Sequence, residues 1–189
     1  MKAAFAELGL PEPANEGIHI GPPIGNTIRE LLGDQADRLF DQTLLTFRKH
    51  YRERGLFEAD LYPGIPELLE KLRSHGVPLY VATAKLEPFA QQLLEHQKVA
   101  HYFQRIYGSR ANGELSLKSD LVSFLRQSEA SISDHSYMIG DRHHDIDGAN
   151  LNRLLGVGVT WGYGSADELQ AARASLIVSS PTELHAYIG

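Results

Sequence analysis

Apolar positions change their spacing part-way along the chain. Before residue 60 they recur only at helical intervals. Ala36, Phe40, Leu44, Phe47 and Tyr51 fall every three or four residues, which lines one face of a helix and predicts a long amphipathic helix closed by Gly55. A shorter helix is predicted over Ile24 to Leu32, stopped by Gly33. Met1 to Leu8 reads as a helix that begins without a capping residue, as though a longer parent sequence preceded it. Between these helices Gly21-Pro22-Pro23 predicts a stiff, tight loop, because proline fixes φ and glycine permits values that other residues avoid.

From Tyr62-Pro63-Gly64 onward, short apolar runs alternate with amphipathic helices, the pattern of a doubly wound parallel sheet. Ile65, Leu68, Leu69 and Leu72 form a helical stripe closed by Gly76. Strands are predicted over Val77 to Thr83, near Ile106-Tyr107, over Tyr137 to Ile139, over Val157 to Thr160 and over Leu176 to Val178. Helices are predicted through Phe89 to Leu94 and around residues 118–128, 145–155, 165–174 and 181–188. Ser165 with Glu168, and Ser180 with Glu183 behind Pro181, have the spacing of capping boxes, so these two helix starts are sharply marked. The expected architecture is α/β, with a helical domain over residues 1–60 and a parallel-sheet core over residues 61–189.

Composition narrows the function. At 189 residues and 42% hydrophobic the chain can bury a real core. A net charge of −6 without any block of like charges argues against a nucleic-acid polymer or a membrane as partner, so an anionic ligand needs a local positive site. Absence of cysteine removes disulfide, thiol and zinc-thiolate chemistry and fits a reducing compartment, with the cytoplasm as default. The first residues are too short and too polar for a signal peptide or a membrane span.

In an open α/β sheet, ligands bind beyond the carboxyl ends of the strands. Three sets of residues fall there: Thr83-Ala84-Lys85, Lys118 at the start of a helix, and Gly140-Asp141-Arg142-His143-His144-Asp145. A hydroxyl, an ammonium and two carboxylates suit a phosphoryl group held with a hard cation. Taken singly, each has a plainer reading: Thr83 as a strand residue, Lys118 as a solvated charge, Asp141 as a turn residue, Asp145 as a helix cap. Their order and spacing favour the joint reading. Adjacent His143 and His144 do not suit one metal ion, and neither a dinucleotide fingerprint, nor a phosphate-binding Gly-Lys-Ser/Thr loop, nor a serine-hydrolase elbow is present.

Strand-Thr83, then Lys118, then Gly140-Asp141-Arg142-His143-His144-Asp145-Ile146-Asp147-Gly148-Ala149 resembles the second to fourth motifs of the haloacid dehalogenase (HAD)-like hydrolases. Gly21-Pro22-Pro23, Gly55-Leu56-Phe57-Glu58, Tyr62-Pro63-Gly64-Ile65-Pro66-Glu67-Leu68-Leu69 and Thr160-Trp161-Gly162-Tyr163-Gly164-Ser165 are similar to the branch of phosphoglycolate phosphatases and 5'-nucleotidases. The resemblance implies a Rossmann-like core with a helical cap and a magnesium-dependent phosphomonoesterase acting on a small phosphate ester. It implies that Thr83, with Ala84 and Lys85, binds the phosphoryl group, that Lys118 steadies nucleophile and phosphate, and that Asp141 and Asp145 hold Mg2+. Gly21, Pro22 and Arg52 of the cap would reach toward substrate, and a homodimer is compatible with this reading.

One departure bears on activity. The family's nucleophile and acid/base lie in an Asp-x-Asp motif on a first strand at the centre of the sheet. Here the only Asp-x-Asp is Asp145-Ile146-Asp147, inside the fourth motif. The expectation is a shortened reading of a longer gene, inactive as it stands, in which the strands ending at Thr83 and Ile139 either close together or borrow a strand. The rival reading is a non-catalytic phosphate- or metal-binding protein that works through binding or assembly.

Overall fold

A computed structural model describes residues 1–15 and 23–189. Gly21 and Pro22, expected near substrate, lie outside the described residues. The chain forms two compact units, Met1–Ala59 and Asp60–Gly189.

The first unit is helical: α1 (Lys2–Glu7), α2 (Ile24–Leu32) and α3 (Ala36–His50), with a 3-10 turn at Gly33–Gln35. The predicted stripe from Ala36 to Phe47 packs on its core, while Tyr51, its last predicted member, falls in the turn after α3. Ala36, Leu39, Phe40, Leu44 and Phe47 of α3 pack on Phe5, Ile28 and Leu32. A wider turn over Tyr51–Gly55 follows α3, where the Leu56 N–H donates to the Tyr51 carbonyl at 2.7 Å. Arg52 sits in that turn, exposed.

The second unit contains α4 (Ile65–Ser74), β1 (Tyr80–Leu86), α5 (Glu87–His96), β2 (Arg105–Ser109), α6 (Lys118–Ser128) and β3 (Tyr137–Gly140). It continues with α7 (His143–Leu151), β4 (Leu155–Val159), α8 (Ala166–Ala171), β5 (Leu176–Val178) and α9 (Pro181–Ile188). All strand pairs are parallel, as the alternation of short strands and helices requires. Two of the expected strands are displaced. β1 starts at Tyr80 rather than Val77 because the Val77 N–H closes α4, donating to the Leu72 carbonyl at 3.0 Å. α7 ends at Leu151, and β4 begins at Leu155, because Arg153 takes a positive φ of 59° and the Leu154 N–H turns back to Ala149 at 2.9 Å, a left-handed helix closure.

The strands make two sheets, β1-β2 and β3-β4-β5. Among the described residues β1 pairs only with β2, and β3 only with β4. Among the described residues β1 and β3 therefore do not close on each other. α6 packs on both sheets. Its Leu121 and Leu125 pack with Tyr107, Tyr80 and Ala82, while its Val122 packs with Ala149, Leu154 and Met138. A third cluster buries Leu68 and Leu72 of α4 and Leu184 of α9 on Val157, Val159 and Val178.

Candidate functional site

The first turn of α6 points its lysine at the ends of both sheets. Lys118 Nζ donates to the Ala82 carbonyl of β1 at 2.8 Å and lies 2.9 Å from Asp145 Oδ1 on α7. Both side chains are nearly buried, at 13% and 11% exposure. Passage of the lysine stem across α7 depends on Gly148, where a Cβ would fall 2.7 Å from Lys118 Cγ. A charge taken this far out of water needs a partner and hydrogen bonds, and here it has both.

Asp145 does two things at once. Its Oδ2 accepts the Arg142 N–H at 3.1 Å, capping α7, and its Oδ1 holds Lys118. Its side chain lies against Gly140 at the end of β3. The cap reading and the site reading, alternatives on the sequence, are thus satisfied by the two oxygens of one carboxylate. α7 begins at His143, so Asp145 is its third residue rather than its first.

Asp141 sits in the loop after β3 and accepts the Tyr163 N–H on Oδ2 at 2.7 Å. The loop after β4 wraps tightly around it: a Cβ at Gly164 would fall 1.9 Å from the Asp141 carbonyl oxygen, which no side chain tolerates. Tyr62 stands nearby, and its phenol is held above its ordinary pKa by desolvation and then by Tyr163 and Asp141.

Thr83, Ala84 and Lys85 were expected just past the strand; they lie within β1. The ladder nevertheless breaks after Thr83, whose partner is Gly108, and resumes only at Leu86 with Ser109. The Lys85 N–H donates to Thr83 Oγ1 at 3.1 Å, a local turn that competes with the ladder. Thr83 follows Ala82, the residue whose carbonyl Lys118 holds. Lys118, Asp145 and the Ala82–Thr83 stretch of β1 are thereby brought together, with Asp141 one residue beyond the Gly140 on which Asp145 packs. Arg52 belongs to the other unit.

A hard-oxygen pair such as Asp141 and Asp145 fits magnesium, which takes one or two carboxylates and completes its shell with phosphate oxygens and water. Among the described residues no group of three or more His, Cys, Asp or Glu is arranged as a metal centre.

Glu168 was read only as half of a capping box. Ser165 Oγ does accept the Glu168 N–H at 3.1 Å, but the Glu168 carboxylate turns away to Arg142 Nε at 2.8 Å and the His143 N–H at 2.9 Å. Desolvation pushes its pKa up; the His143 N–H and the Arg142 hydrogen bond and charge outweigh that and hold it below the ordinary value. It anchors the loop that carries Asp141 to α8. Its spacing from Ser165 was visible in sequence; its partner in another motif was not. His144 is held below its ordinary pKa by desolvation and then by the charges of His143 and Arg142.

The comparisons with known proteins agree with this architecture. The family model described as haloacid dehalogenase-like hydrolase matches residues 1–155, and the chain belongs to that family. It is 40% identical over 174 residues to a 5'-nucleotidase of Pseudomonas aeruginosa, covering 89% of this chain and 76% of that protein. It is 34% identical to the tyrosine-protein kinase PtkA of Mycobacterium tuberculosis, covering 95% of this chain and 61% of the kinase. Identity to a phosphoglycolate phosphatase of Neisseria meningitidis is 31%, over 97% of this chain and 83% of that one. The crystal structure of a predicted phosphatase from Clostridium acetobutylicum superposes with a TM-score of 0.89 at 36% identity, covering 99% of this chain and 87% of the other. No helix among the described residues is long and apolar enough to cross a membrane.

Proposed function

We propose that the protein is a magnesium-dependent phosphomonoester hydrolase acting on a small phosphorylated metabolite, phosphoglycolate or a nucleoside monophosphate. The observation that carries this reading is the nearly buried Lys118 ammonium, which gives one donor to Ala82 and one to Asp145 and so keeps its third for an anion beside Thr83. Phosphoryl transfer asks the protein chiefly for positioning and for charge on the phosphoryl oxygens. Thr83 Oγ1 accepts from Lys85 and keeps its own O–H to donate to a phosphoryl oxygen, with Ala84 and Lys85 bordering the group.

Asp141 and Asp145 would hold magnesium, which when bound offsets charge on the phosphoryl oxygens. Asp145 also positions Lys118. By family resemblance residues 1–60 are the cap, the part that in such enzymes selects the leaving group and excludes water. The names of the nucleotidase and phosphoglycolate phosphatase relatives support the substrate class by analogy, and the Thr160-to-Ser165 stretch favours the nucleotidase side.

The family resemblance implies a carboxylate nucleophile for attack on phosphorus. The only Asp-x-Asp is committed elsewhere: Asp145 to Lys118 and the Arg142 N–H, Asp147 to His143 Nδ1 at 3.1 Å. Residues 1–189 alone therefore bind phosphate esters without turning them over. Isothermal titration with phosphate and magnesium is expected to show binding that Lys118→Ala removes, and p-nitrophenyl phosphate is expected to stay intact. Turnover by residues 1–189 that Asp141→Asn abolishes would defeat the need for another carboxylate. A panel of phosphomonoesters given to the chain extended at its N-terminus by an Asp-x-Asp strand then separates the two readings: binding without hydrolysis of any of them selects the non-catalytic protein.

A further inference from the structure

Asp141 stands on a very short link. β3 ends at Gly140 and α7 begins at His143, so only Asp141 and Arg142 join them, and a side chain on such a connection is placed by whatever holds its two ends. Asp145 packs on the β3 end at Gly140. Glu168, in the first turn of α8, holds the other: its Oε1 accepts the Arg142 Nε–H at 2.8 Å and the His143 N–H at 2.9 Å. Arg142 and Glu168 are 25% and 24% exposed, so this is not a solvated surface pair of the kind that contributes little.

The loop between β4 and α8 closes a circuit. Its Tyr163 N–H donates to Asp141 Oδ2 at 2.7 Å, and Gly164 brings its backbone against the Asp141 carbonyl, leaving no room for a Cβ. Trp161 packs on the cluster of Leu68, Leu72 and Val159, and Ser165 Oγ caps α8 by accepting the Glu168 N–H at 3.1 Å. The stretch from Asp141 to His143 and the stretch from Tyr163 to Glu168 are therefore fastened at both ends, at one by the Tyr163 N–H and at the other by the Glu168 carboxylate. Asp141 Oδ2 is committed to the first fastening. Its Oδ1 carries no hydrogen bond among the described residues.

We propose that Glu168 is a positioning residue for the metal. It touches neither the ion nor the phosphoryl group, yet by locking the Arg142–His143 end of the link to α8 it presents Asp141 Oδ1 in one orientation and so raises magnesium affinity. Hydrogen bonds that orient a metal-binding carboxylate from behind are worth about 10–100-fold in affinity. This role rests on Asp141 being a magnesium ligand, as proposed above, and adds to that site a residue from a different helix.

Magnesium chloride titrated into the full chain by calorimetry, with hydrogen exchange followed at single amides, tests it. The parent chain should bind the ion and Asp141→Asn should not. Glu168→Ala and Glu168→Asp should each weaken binding about tenfold; aspartate keeps the charge but is one methylene too short to reach both Arg142 and His143. Ser180→Ala removes the same kind of cap from α9, where Ser180 Oγ accepts the Glu183 N–H, and should lower stability without changing affinity. In Glu168→Ala the Tyr163 amide, which Glu168 does not touch, should exchange faster. Unchanged affinity in both Glu168 variants would overturn the proposal and leave the magnesium reading standing. So would full affinity in Glu168→Asp, which assigns the effect to charge, or an equal loss in Ser180→Ala, which assigns it to loosening of the whole unit. A Tyr163 amide that exchanges at the parent rate would break the circuit and the proposal with it, and a parent chain that binds no magnesium would defeat both readings.

Discussion

β4 and β1 are parallel strands of similar length in the same unit, and they meet very different surroundings. β4 has a strand on each side, α4 and α9 pack over it through Leu68, Leu72 and Leu184, and Val157 is fully enclosed. β1 has a single partner strand and no buried residue. What holds its free edge is a polar link, the Lys118 ammonium on the Ala82 carbonyl with Asp145 behind it. β4 is held by apolar packing on both sides of its sheet, whereas β1 adds to its apolar contacts with α6 a nearly buried ion pair at Ala82. The two kinds of cohesion should fail differently.

The largest effect is expected at the ion pair. Asp145→Ala leaves the Lys118 charge nearly buried and unpaired and should cost about 3–5 kcal/mol in urea unfolding. The double variant Lys118→Met, Asp145→Leu removes both charges and should recover all but the α7 cap, about 1 kcal/mol. A double variant no more stable than the single one would mean that the pair is not what holds β1 at Ala82. Next in size is the contrast across one ladder. Val157→Ala, which opens a cavity in a closed cluster, should cost about 2 kcal/mol, and Ile139→Ala, larger in volume but exposed, less than about 1 kcal/mol. Equal costs would erase the distinction between the strands.

The smallest effect is the pH response of the loop that bears Asp141. Glu168 has a folded pKa below its ordinary value, so its contribution is complete above the unfolded pKa and is lost as pH falls through the folded one. His144, also depressed, works in the same direction: stability declines once pH drops below its unfolded value, because the native state resists protonation. Chemical unfolding midpoints should fall in two steps on acidification, the later one absent in Glu168→Gln. A Glu168→Gln profile that coincides with the parent below pH 5 would remove Glu168 from the account.

Where the sequence spoke through periodicity and capping, the structure followed it closely. α2, β5 and α9 have the expected bounds, and the α3 stripe packs on the core of its unit. The start of β1 moved after Gly76, whose φ is 73°; three other helix ends moved without a glycine. Lys98, Arg153 and Arg173 take the left-handed conformation after α5, α7 and α8, and Val99, Leu154 and Ala174 then send their N–H groups back to Leu94, Ala149 and Leu169. Glycine would have announced such closures; lysine and arginine do not, since their side chains give no sign of a positive φ. Both reciprocal capping boxes were half right: Ser180 Oγ accepts the Glu183 N–H at 3.1 Å, but the Glu183 carboxylate takes the N–H and hydroxyl of Ser179.

The candidate-site residues were legible as residue types in order, Thr83, Lys118, Asp141 and Asp145, because each lies in or beside an element whose period is plain. The sequence by itself determined the α/β class, the change from helical to alternating pattern near residue 60, and the family, since all of these depend on local spacing. Only the tertiary structure decided that the strands divide into two sheets, that Asp145 divides its oxygens between a cap and Lys118, and that Glu168 serves the loop of another motif. Those are contacts between residues far apart in the chain, chosen by which burials and charge pairings the assembled elements allow, and no short-range pattern encodes them.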